Sequence, residues 1–277
     1  MSSPYSSAGK KSTGKRLEAP DILKRKGAEP LVSLTAYTAP MARLVDQVAD
    51  IIIIGDSMGM VLYGLETTLA MPLFTMIGHA RAVVDASCRA LCVFDMPFGS
   101  YEEGPEQAFR NAARVMKKTG VQAVKLEGGE QMAETAAHLV KHGIPVMGHI
   151  GLTPQAYHAM GGFKVQGKGK GRGQVLRDAR ALDRAGVFST VIEGVPEPLA
   201  REITKAVGNV TIGIGASAAC DGQVLVTEDL LGLSPRTPKF VKQYADLNQA
   251  IETALKCYAE DVKSRRFPGL EHTYSDK

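Results

Sequence analysis

From residue 31 onward the sequence repeats one unit: a short apolar run, a polar or glycine-containing turn, and a helical stretch that ends at a glycine. The apolar runs do not alternate with polar residues, which is typical of parallel strands covered on both faces. We predict strands at Leu31–Leu34, Ile51–Ile54, Ala90–Phe94, Ala123–Leu126, Ile144–Met147, Thr190–Ile192 and Val210–Ile214, with an eighth near Asp229–Leu233.

The segments between these runs have the pattern of surface helices that pack on a sheet. Apolar residues recur at helical spacing, which gives each segment one apolar stripe. The stripes comprise Phe109, Ala112, Ala113 and Met116 in one segment, and Met132, Ala136, Leu139 and Val140 in the next. Pro105 suits the first turn of its helix. Four glycines are predicted to end helices in the left-handed conformation: Gly120, Gly143, Gly186 and Gly208.

Repeated β-α units form either a doubly wound sheet or a closed barrel. An even strand count and polar residues at nearly every strand end favour the barrel, because a doubly wound sheet concentrates its ligand groups at one switch point. The 277 residues, 44% of them apolar, suffice for one large core. We therefore predict a single α/β domain of the (β/α)8 TIM-barrel type at residues 17–277, preceded by a basic, disordered leader at residues 1–16.

Composition excludes several other classes of protein. The four cysteines are too few and too irregularly spaced for a disulfide framework or a zinc site, which favours a reducing, cytoplasmic compartment. No apolar run approaches the roughly 20 residues that cross a bilayer. The net charge of +4 comes from two local clusters, in the leader and at residues 168–172, so no nucleic-acid surface is expected. The leader suits a solvated tail better than a transit peptide, because it has almost no apolar residues.

Carboxylates follow three successive predicted strands. Asp56, Asp95 and Glu127 each stand where a strand ends. In a parallel barrel these ends meet at one mouth, and carboxylate oxygens with open positions left for substrate suit Mg²⁺ or a similar divalent cation. A single aspartate at a strand end is more often a helix cap, but the coincidence on three strands favours a metal site.

Further polar residues are expected at the same mouth. Glu193 follows a later strand among apolar neighbours, which suits a general base, although a plain loop carboxylate has the same pattern. Lys125 could neutralise an anionic substrate or form a Schiff base, and its neighbour Glu127 favours the first role. His149 could donate to a substrate oxygen or be structural. Ser57 follows Asp56 and is a candidate substrate contact.

A glycine-rich basic segment at residues 162–173 is close to a phosphate-binding P-loop but lacks the final Ser or Thr. It also follows a loop, where a P-loop requires a strand, so nucleoside triphosphate binding is rejected. The segment is equally consistent with a lid over the barrel mouth and with a solvated connection.

Six motifs, in order along the chain, resemble the ketopantoate hydroxymethyltransferase family. They are Gly55–Met60 (GDSMGM), Phe94–Phe98 (FDMPF), Val124–Glu130 (VKLEGGE), Gly148–Pro154 (GHIGLTP), Gly161–Gly167 (GGFKVQG) and Cys220–Gln223 (CDGQ). The resemblance implies a barrel of the phosphoenolpyruvate/pyruvate type. It also implies transfer of a hydroxymethyl group from 5,10-methylenetetrahydrofolate to 3-methyl-2-oxobutanoate in pantothenate and coenzyme A biosynthesis.

The resemblance also implies roles for individual residues. Asp56, Asp95 and Glu127 would hold Mg²⁺, Ser57 and Lys125 would contact the oxo acid, and Glu193 would accept the proton. It implies a homo-oligomer, a decamer among the possibilities. The chain departs from the family pattern at residues 215–217, in the basic loop at 167–173 and in the leader.

Three other functions remain open from the sequence. A metal-dependent lyase or aldolase of the same barrel group would use the same carboxylates on another carbon skeleton. A Schiff-base aldolase would be built on Lys125. A scaffold protein would use its basic leader to bind nucleic acid or an anionic membrane.

Overall fold

Eight parallel strands close into a barrel in which each strand pairs with the next and β8 pairs with β1. The computed structural model describes residues 15–275. The chain divides between Val226 and Thr227 into two compact units, and the whole barrel lies in the first. The strands are β1 Leu31–Thr35, β2 Ile51–Ile54, β3 Leu91–Asp95, β4 Ala123–Glu127, β5 Val146–Gly151, β6 Ser189–Glu193, β7 Val210–Ile214 and β8 Gly222–Leu225.

Helices connect the strands and cover the outside of the barrel. In the first unit they are α1 Ala19–Leu23, α2 Ala39–Val45, α3 Met58–Val61, α4 Leu73–Ala86, α5 Pro105–Thr119, α6 Ala133–Lys141, α7 Tyr157–Met160, α8 Arg172–Arg184 and α9 Glu197–Ala206. Pro105 is the first residue of α5, and Gly120 ends that helix with a φ of 78°, as predicted. The predicted (β/α)8 fold is confirmed.

Alternation along each strand produces two separate apolar cores. Side chains at successive strand positions point to opposite faces. On β4, Val124 and Leu126 pack against the surrounding helices, while Ala123 belongs to a second cluster inside the barrel. Lys125 and Glu127 continue the inward row that Ala123 begins, because they follow it at intervals of two. The polar end of each inward row therefore lies at the mouth formed by the carboxyl ends of the strands.

The opposite, amino-terminal end of the barrel is closed by α1. Ala19 and Ile22 pack into the interior cluster, and Lys26 after this helix pairs with the buried Asp221 at 2.8 Å. Arg16, which the sequence analysis placed in the leader, donates to the carbonyls of Val84 and Ala90 at 3.1 and 2.9 Å. The rest of the predicted leader, apart from Lys15, lies outside the described residues, and the boundary at residue 17 stays a prediction.

Two details of the sequence prediction are wrong. The eighth strand is Gly222–Leu225 and not Asp229–Leu233, because a short apolar segment with an exposed Gln223 gave no recognisable strand pattern. Gly222 is required there, since a Cβ atom at this position would lie 2.7 Å from the Leu31 carbonyl oxygen across the closing pair of strands. Gly208 is not left-handed, because α9 ends earlier, at an extended Val207.

The described part of the second unit, residues 227–275, includes the helices α10 Thr227–Leu230 and α11 Leu247–Lys263 and a 3-10 turn at Leu270–His272. The Tyr244 and Leu247 amides donate to the carbonyls of Leu230 and Leu231, which ties the start of α11 to the segment around α10. No helix within residues 15–275 has the length and apolar character needed to span a membrane.

Candidate active site

The register of the barrel brings the predicted site residues together at one mouth. Asp95 at the end of β3 lies beside Lys125 on β4. Glu127 on β4 lies beside His149 on β5, and Glu193 ends the following strand. These side chains point inward because each occupies the inward row of its strand. Residues from four successive strands, β3 to β6, therefore form one cluster.

Lys125 lies at the centre of this cluster. Its Nζ is 2.8 Å from Asp95 Oδ1, 3.4 Å from Glu127 Oε1 and 3.0 Å from His149 Nδ1. Burial alone would lower the pKa of Lys125, but the charges of Asp95 and Glu127 outweigh burial and raise the pKa above its ordinary value. The amine is therefore held as an ammonium ion, which is suited to binding an anion and unsuited to nucleophilic attack.

Glu127 is held ionised by its surroundings. Burial would raise its pKa, but Lys125 and His149 lower it to about 2. Glu127 Oε1 faces both of these cationic side chains, and Oε2 accepts from the Gln155 amide at 2.9 Å. Both oxygens of this carboxylate are thus engaged by protein groups.

His149 joins Glu127 to Glu193. Its Nδ1 lies 3.3 Å from Glu127 Oε1, and its Nε2 lies 3.3 Å from Glu193 Oε2, without the alignment of a hydrogen bond. Burial and the charge of Lys125 would lower the pKa of His149, but the two carboxylates outweigh them and raise it to about 9. The Glu193 side chain is 15% exposed, against 4% for His149, so Glu193 is the more accessible of the two from the mouth.

At Asp56 and Asp95, burial outweighs the nearby positive charge of Lys125. Burial raises the pKa of Asp56 well above its ordinary value, and the charges of Asp95 and Glu127 raise it further. The pKa of Asp95 is also raised, chiefly by burial and despite the nearby Lys125. Asp95 Oδ1 has no aligned hydrogen-bond donor, although Lys125 is close. The cluster therefore contains more negative charge than its own cations balance.

Ser57 is half-buried beside the same mouth. Its Oγ lies 2.8 Å from the hydroxyl of Tyr37, which follows β1. A Cβ atom on the preceding Gly55 would lie 2.7 Å from this Oγ, so glycine is needed for the close turn that presents Ser57. Tyr37 was not predicted as a site residue.

Two further residues of the cluster were missed by the sequence analysis. Gln155 lies in a 3-10 turn, Pro154–Ala156, directly after the Gly148–Pro154 motif, and donates from Nε2 to Asp56 Oδ2 at 2.9 Å. Tyr101, between β3 and α5, donates from its hydroxyl to Gln155 Oε1. The position of Gln155 next to a recognised motif was the one available signal.

The basic segment at residues 167–173 is partly helical. Gly169–Gly171 forms a 3-10 turn that runs directly into α8, and Arg172 at the start of that helix forms an ion pair with Glu202 on α9. The Gln166 amide donates to the Gly194 carbonyl at 2.9 Å, so the segment begins next to the end of β6.

Solved structures share the fold of this barrel. The phosphoenolpyruvate phosphomutase from Streptomyces platensis subsp. rosaceus aligns with a TM-score of 0.60 at 12% identity, over 94% of this chain and 92% of its own. A 2,3-dimethylmalate lyase, described as a member of the PEP mutase/isocitrate lyase superfamily, aligns with a TM-score of 0.59 at 16% identity, over 92% and 87%. The fold is a (β/α)8 TIM barrel, which these solved structures share.

Sequence comparison assigns the family within that class. The family model described as ketopantoate hydroxymethyltransferase matches residues 16–270. A 3-methyl-2-oxobutanoate hydroxymethyltransferase from Chelativorans sp. (strain BNC1) is 60% identical over 95% of this chain and 94% of its own length. The enzyme of the same name from Rhodospirillum centenum is 59% identical over 94% and 96%. The chain belongs to the ketopantoate hydroxymethyltransferase family.

Proposed function

We propose that this protein transfers a hydroxymethyl group from 5,10-methylenetetrahydrofolate to 3-methyl-2-oxobutanoate, giving 2-dehydropantoate for pantothenate and coenzyme A biosynthesis. Family membership supports the choice of donor and acceptor. The observation that carries the chemistry is a buried ammonium, Lys125, that pairs with Asp95 and Glu127 at one mouth. The same mouth holds Asp56 and Glu193, and Glu193 is the most accessible of these four carboxylates. Cytoplasmic location and assembly into a homo-oligomer stay predictions.

The carboxylates at the mouth fit a divalent cation. Within residues 15–275 no three His, Cys, Asp or Glu side chains are arranged to enclose a metal ion. Mg²⁺ commonly takes only one or two protein carboxylates and keeps water or substrate in its other positions. Asp56 and Asp95 suit this role because their charges are undercompensated and Asp95 Oδ1 lacks an aligned donor.

Glu127 was also predicted as a metal ligand, and in the proposal it is the weakest of the three. Both of its oxygens already face protein donors, so it would contribute chiefly its negative charge to a bound cation. When bound, the cation would polarise the keto and carboxylate oxygens of the oxo acid, which increases the acidity of the neighbouring C–H bond.

Side chains at the mouth bind the substrate and remove its proton. The Lys125 ammonium binds the negative charge of the substrate, and Ser57, oriented by Tyr37, donates a further hydrogen bond. Glu193 removes the proton from C3, and the resulting carbanion adds to the methylene carbon of the folate as one of its two C–N bonds breaks. A water molecule replaces the second nitrogen and supplies the hydroxyl oxygen of the product. The proton from C3 and one proton of water end on the two folate nitrogens, which gives tetrahydrofolate. His149 stands between Glu193 and Glu127 and stabilises the carboxylate form of Glu127.

The test of the proposed base is the substitution Glu193→Gln. Exchange of the C3 hydrogen of 3-methyl-2-oxobutanoate into deuterated water, followed by proton NMR without folate, isolates proton removal from the transfer step. We expect a loss of about 100-fold or more, the range of general base catalysis, with metal binding retained. Glu202→Gln on the surface of α9 is the matched control and should exchange at the wild-type rate.

Unchanged exchange in Glu193→Gln would remove this residue as the base. The overall activity is tested separately, by mixing the protein, Mg²⁺, methylenetetrahydrofolate and a panel of oxo acids. If 3-methyl-2-oxobutanoate were not consumed in a folate-dependent reaction, a lyase or aldolase of the same class would be the better assignment. Borohydride trapping with substrate should leave Lys125 unlabelled, because its amine is held protonated.

A further inference from the structure

We propose that Gln155 and Tyr101 are positioning residues that set the separation and orientation of Asp56 and Glu127 at the mouth. Asp56 lies in the turn after β2 and Glu127 ends β4, so covalent geometry does not fix one carboxylate against the other. Gln155 contacts both of them. The inference rests on the proposed metal site and concerns residues that the proposed mechanism does not use.

The amide of Gln155 can adopt only one orientation. Its Nε2 donates to Asp56 Oδ2 and to the Met96 carbonyl, each at 2.9 Å. Its Oε1 accepts from the Tyr101 hydroxyl. A flipped amide would place its oxygen against two acceptors, so the Asp56 carboxylate is always met by an N–H donor. Asp56 Oδ2 is therefore fixed, which leaves the other oxygen of this carboxylate for a ligand.

The backbone of Gln155 holds the second carboxylate. Its N–H donates to Glu127 Oε2 at 2.9 Å. One residue thus binds Asp56 through its side chain and Glu127 through its main chain. Gln155 lies in the 3-10 turn Pro154–Ala156, directly after β5. This turn directs both its side-chain amide and its backbone N–H toward the mouth.

Tyr101 fixes the arrangement from the side of β4. Its hydroxyl accepts from the Glu127 N–H at 3.2 Å and donates to Gln155 Oε1. The Tyr101 hydroxyl thus both accepts and donates a hydrogen bond. Because the Glu127 N–H belongs to the backbone of β4, this strand fixes the direction in which the hydroxyl donates to Gln155. Tyr101 is 1% exposed and Gln155 is 6% exposed, so water does not compete for these contacts.

A network of this kind is expected to matter for ligand binding as well as for folding. Hydrogen-bond partners behind metal ligands orient them, and their loss typically lowers metal affinity or activity by about 10- to 100-fold. A purely structural network would affect unfolding alone. The two roles are therefore separated by measuring cation affinity on the folded protein.

The experiment compares Gln155→Leu and Tyr101→Phe with wild type. Mn²⁺ affinity is measured by electron paramagnetic resonance without substrate, and unfolding is followed in urea. We expect Gln155→Leu to weaken Mn²⁺ binding by about 10- to 100-fold and Tyr101→Phe by about tenfold. The double variant should lose less than the two single losses combined, because both residues act through the same contacts. Tyr101→Phe removes one oxygen atom only, so it tests the proposal even where Gln155→Leu lowers stability strongly.

The matched control is Gln122→Leu. Gln122 also bonds through both ends of its amide, accepting from the Cys92 N–H at 2.9 Å and donating to the Gly120 carbonyl at 2.6 Å, but it lies at the start of β4, away from the mouth. The Gln122→Leu variant should be less stable than the wild type and should bind Mn²⁺ with wild-type affinity.

Three outcomes are distinguishable. Weaker Mn²⁺ binding in both mouth variants, with Gln122→Leu unaffected, supports the positioning role. Reduced stability with wild-type Mn²⁺ affinity in both mouth variants overturns it. If the wild-type protein itself binds no Mn²⁺, the proposed metal site fails first, and the positioning role fails with it.

Discussion

The substitution Lys125→Met tests whether the buried ammonium compensates the carboxylates of the mouth. The methionine side chain has similar length and no charge, so packing is largely kept while the ion pairs to Asp95 and Glu127 are lost. Each partner side chain is about 5% exposed, so water cannot replace the ammonium. The expected result is a large loss of stability in the metal-free protein.

The magnitude follows from the pKa of Glu127. Burial raises this pKa, but Lys125, followed by His149 and by hydrogen bonds from His149 and Gln155, lowers it from an ordinary 4.5 to about 2. The net shift corresponds to about 3 kcal/mol at about 1.4 kcal/mol per pKa unit. Removing one partner of a buried ion pair costs about 3–5 kcal/mol by general experience. We therefore expect Lys125→Met to reduce the free energy of unfolding by about 3–5 kcal/mol near neutral pH.

The pH dependence should change as well. In the wild type, Glu127 has a lowered pKa, so its contribution is complete above about pH 4.5 and is lost as the pH falls toward 2. Without Lys125, burial and neighbouring carboxylates raise the pKa of the mouth carboxyls. Above about pH 4.5, the ordinary pKa of a glutamate, the folded variant still holds a proton that the unfolded chain has released. Its free energy of unfolding therefore falls by up to about 1.4 kcal/mol for each pH unit of increase.

Urea unfolding followed by circular dichroism in EDTA, at about pH 5 and about pH 8, measures both effects. The matched control is Lys26→Met, which also breaks an ion pair at 2.8 Å, to Asp221. Asp221 keeps donors from Gly27 and Thr211, so this variant should lose only about 1–2 kcal/mol and show little added slope. Parallel stability curves for Lys125→Met and wild type would refute the compensating role of Lys125.

Two further predictions concern one position at the amino-terminal end of the barrel and one beside the site. Asp46→Asn should cost about 2–4 kcal/mol in urea unfolding, because its carboxylate accepts from the backbone N–H groups of residues 88–90 and an amide cannot accept from all of them; a loss below about 0.5 kcal/mol would contradict this. Gly151→Ala should reduce turnover by about 10- to 100-fold, because its Cβ would lie 2.3 Å from the Glu193 carbonyl oxygen. Gly78→Ala, with open space around the new Cβ, is the control and should keep full turnover.

The strands were predictable where long apolar runs met polar ends. β2 matches its predicted bounds, and β7 does so as well. β5 begins at Val146, two residues later than predicted, and Pro145 before it has no N–H to donate to a neighbouring strand. β8 was misplaced because it is short, begins at a glycine and exposes Gln223. The local sequence pattern did not predict β8, because the position of this last strand is determined by closure of the barrel between β7 and β1.

The candidate site was predictable in its residues but not in its connections. Asp56, Asp95, Lys125, Glu127, His149 and Glu193 lie at one mouth, as the strand ends predicted. Their roles as ligands, substrate contacts and base stay predictions. Gln155 and Tyr101 could not be recognised, because each comes from a loop whose path depends on the packed barrel. The sequence shows which residues end a strand, but not which loop residue reaches them.

The charged layer at the mouth is a continuation of the barrel core and is stabilised from below. Along β4 the inward row changes from Ala123 to Lys125 and Glu127, and along β5 from Met147 to His149. A register shift of one residue would turn these groups outward among the helices and bring Leu126 into the mouth. The apolar interior layers oppose that shift, because it would also exchange their own side chains. The same alternation that packs the barrel interior therefore keeps the buried charges in the one place where a substrate can reach them.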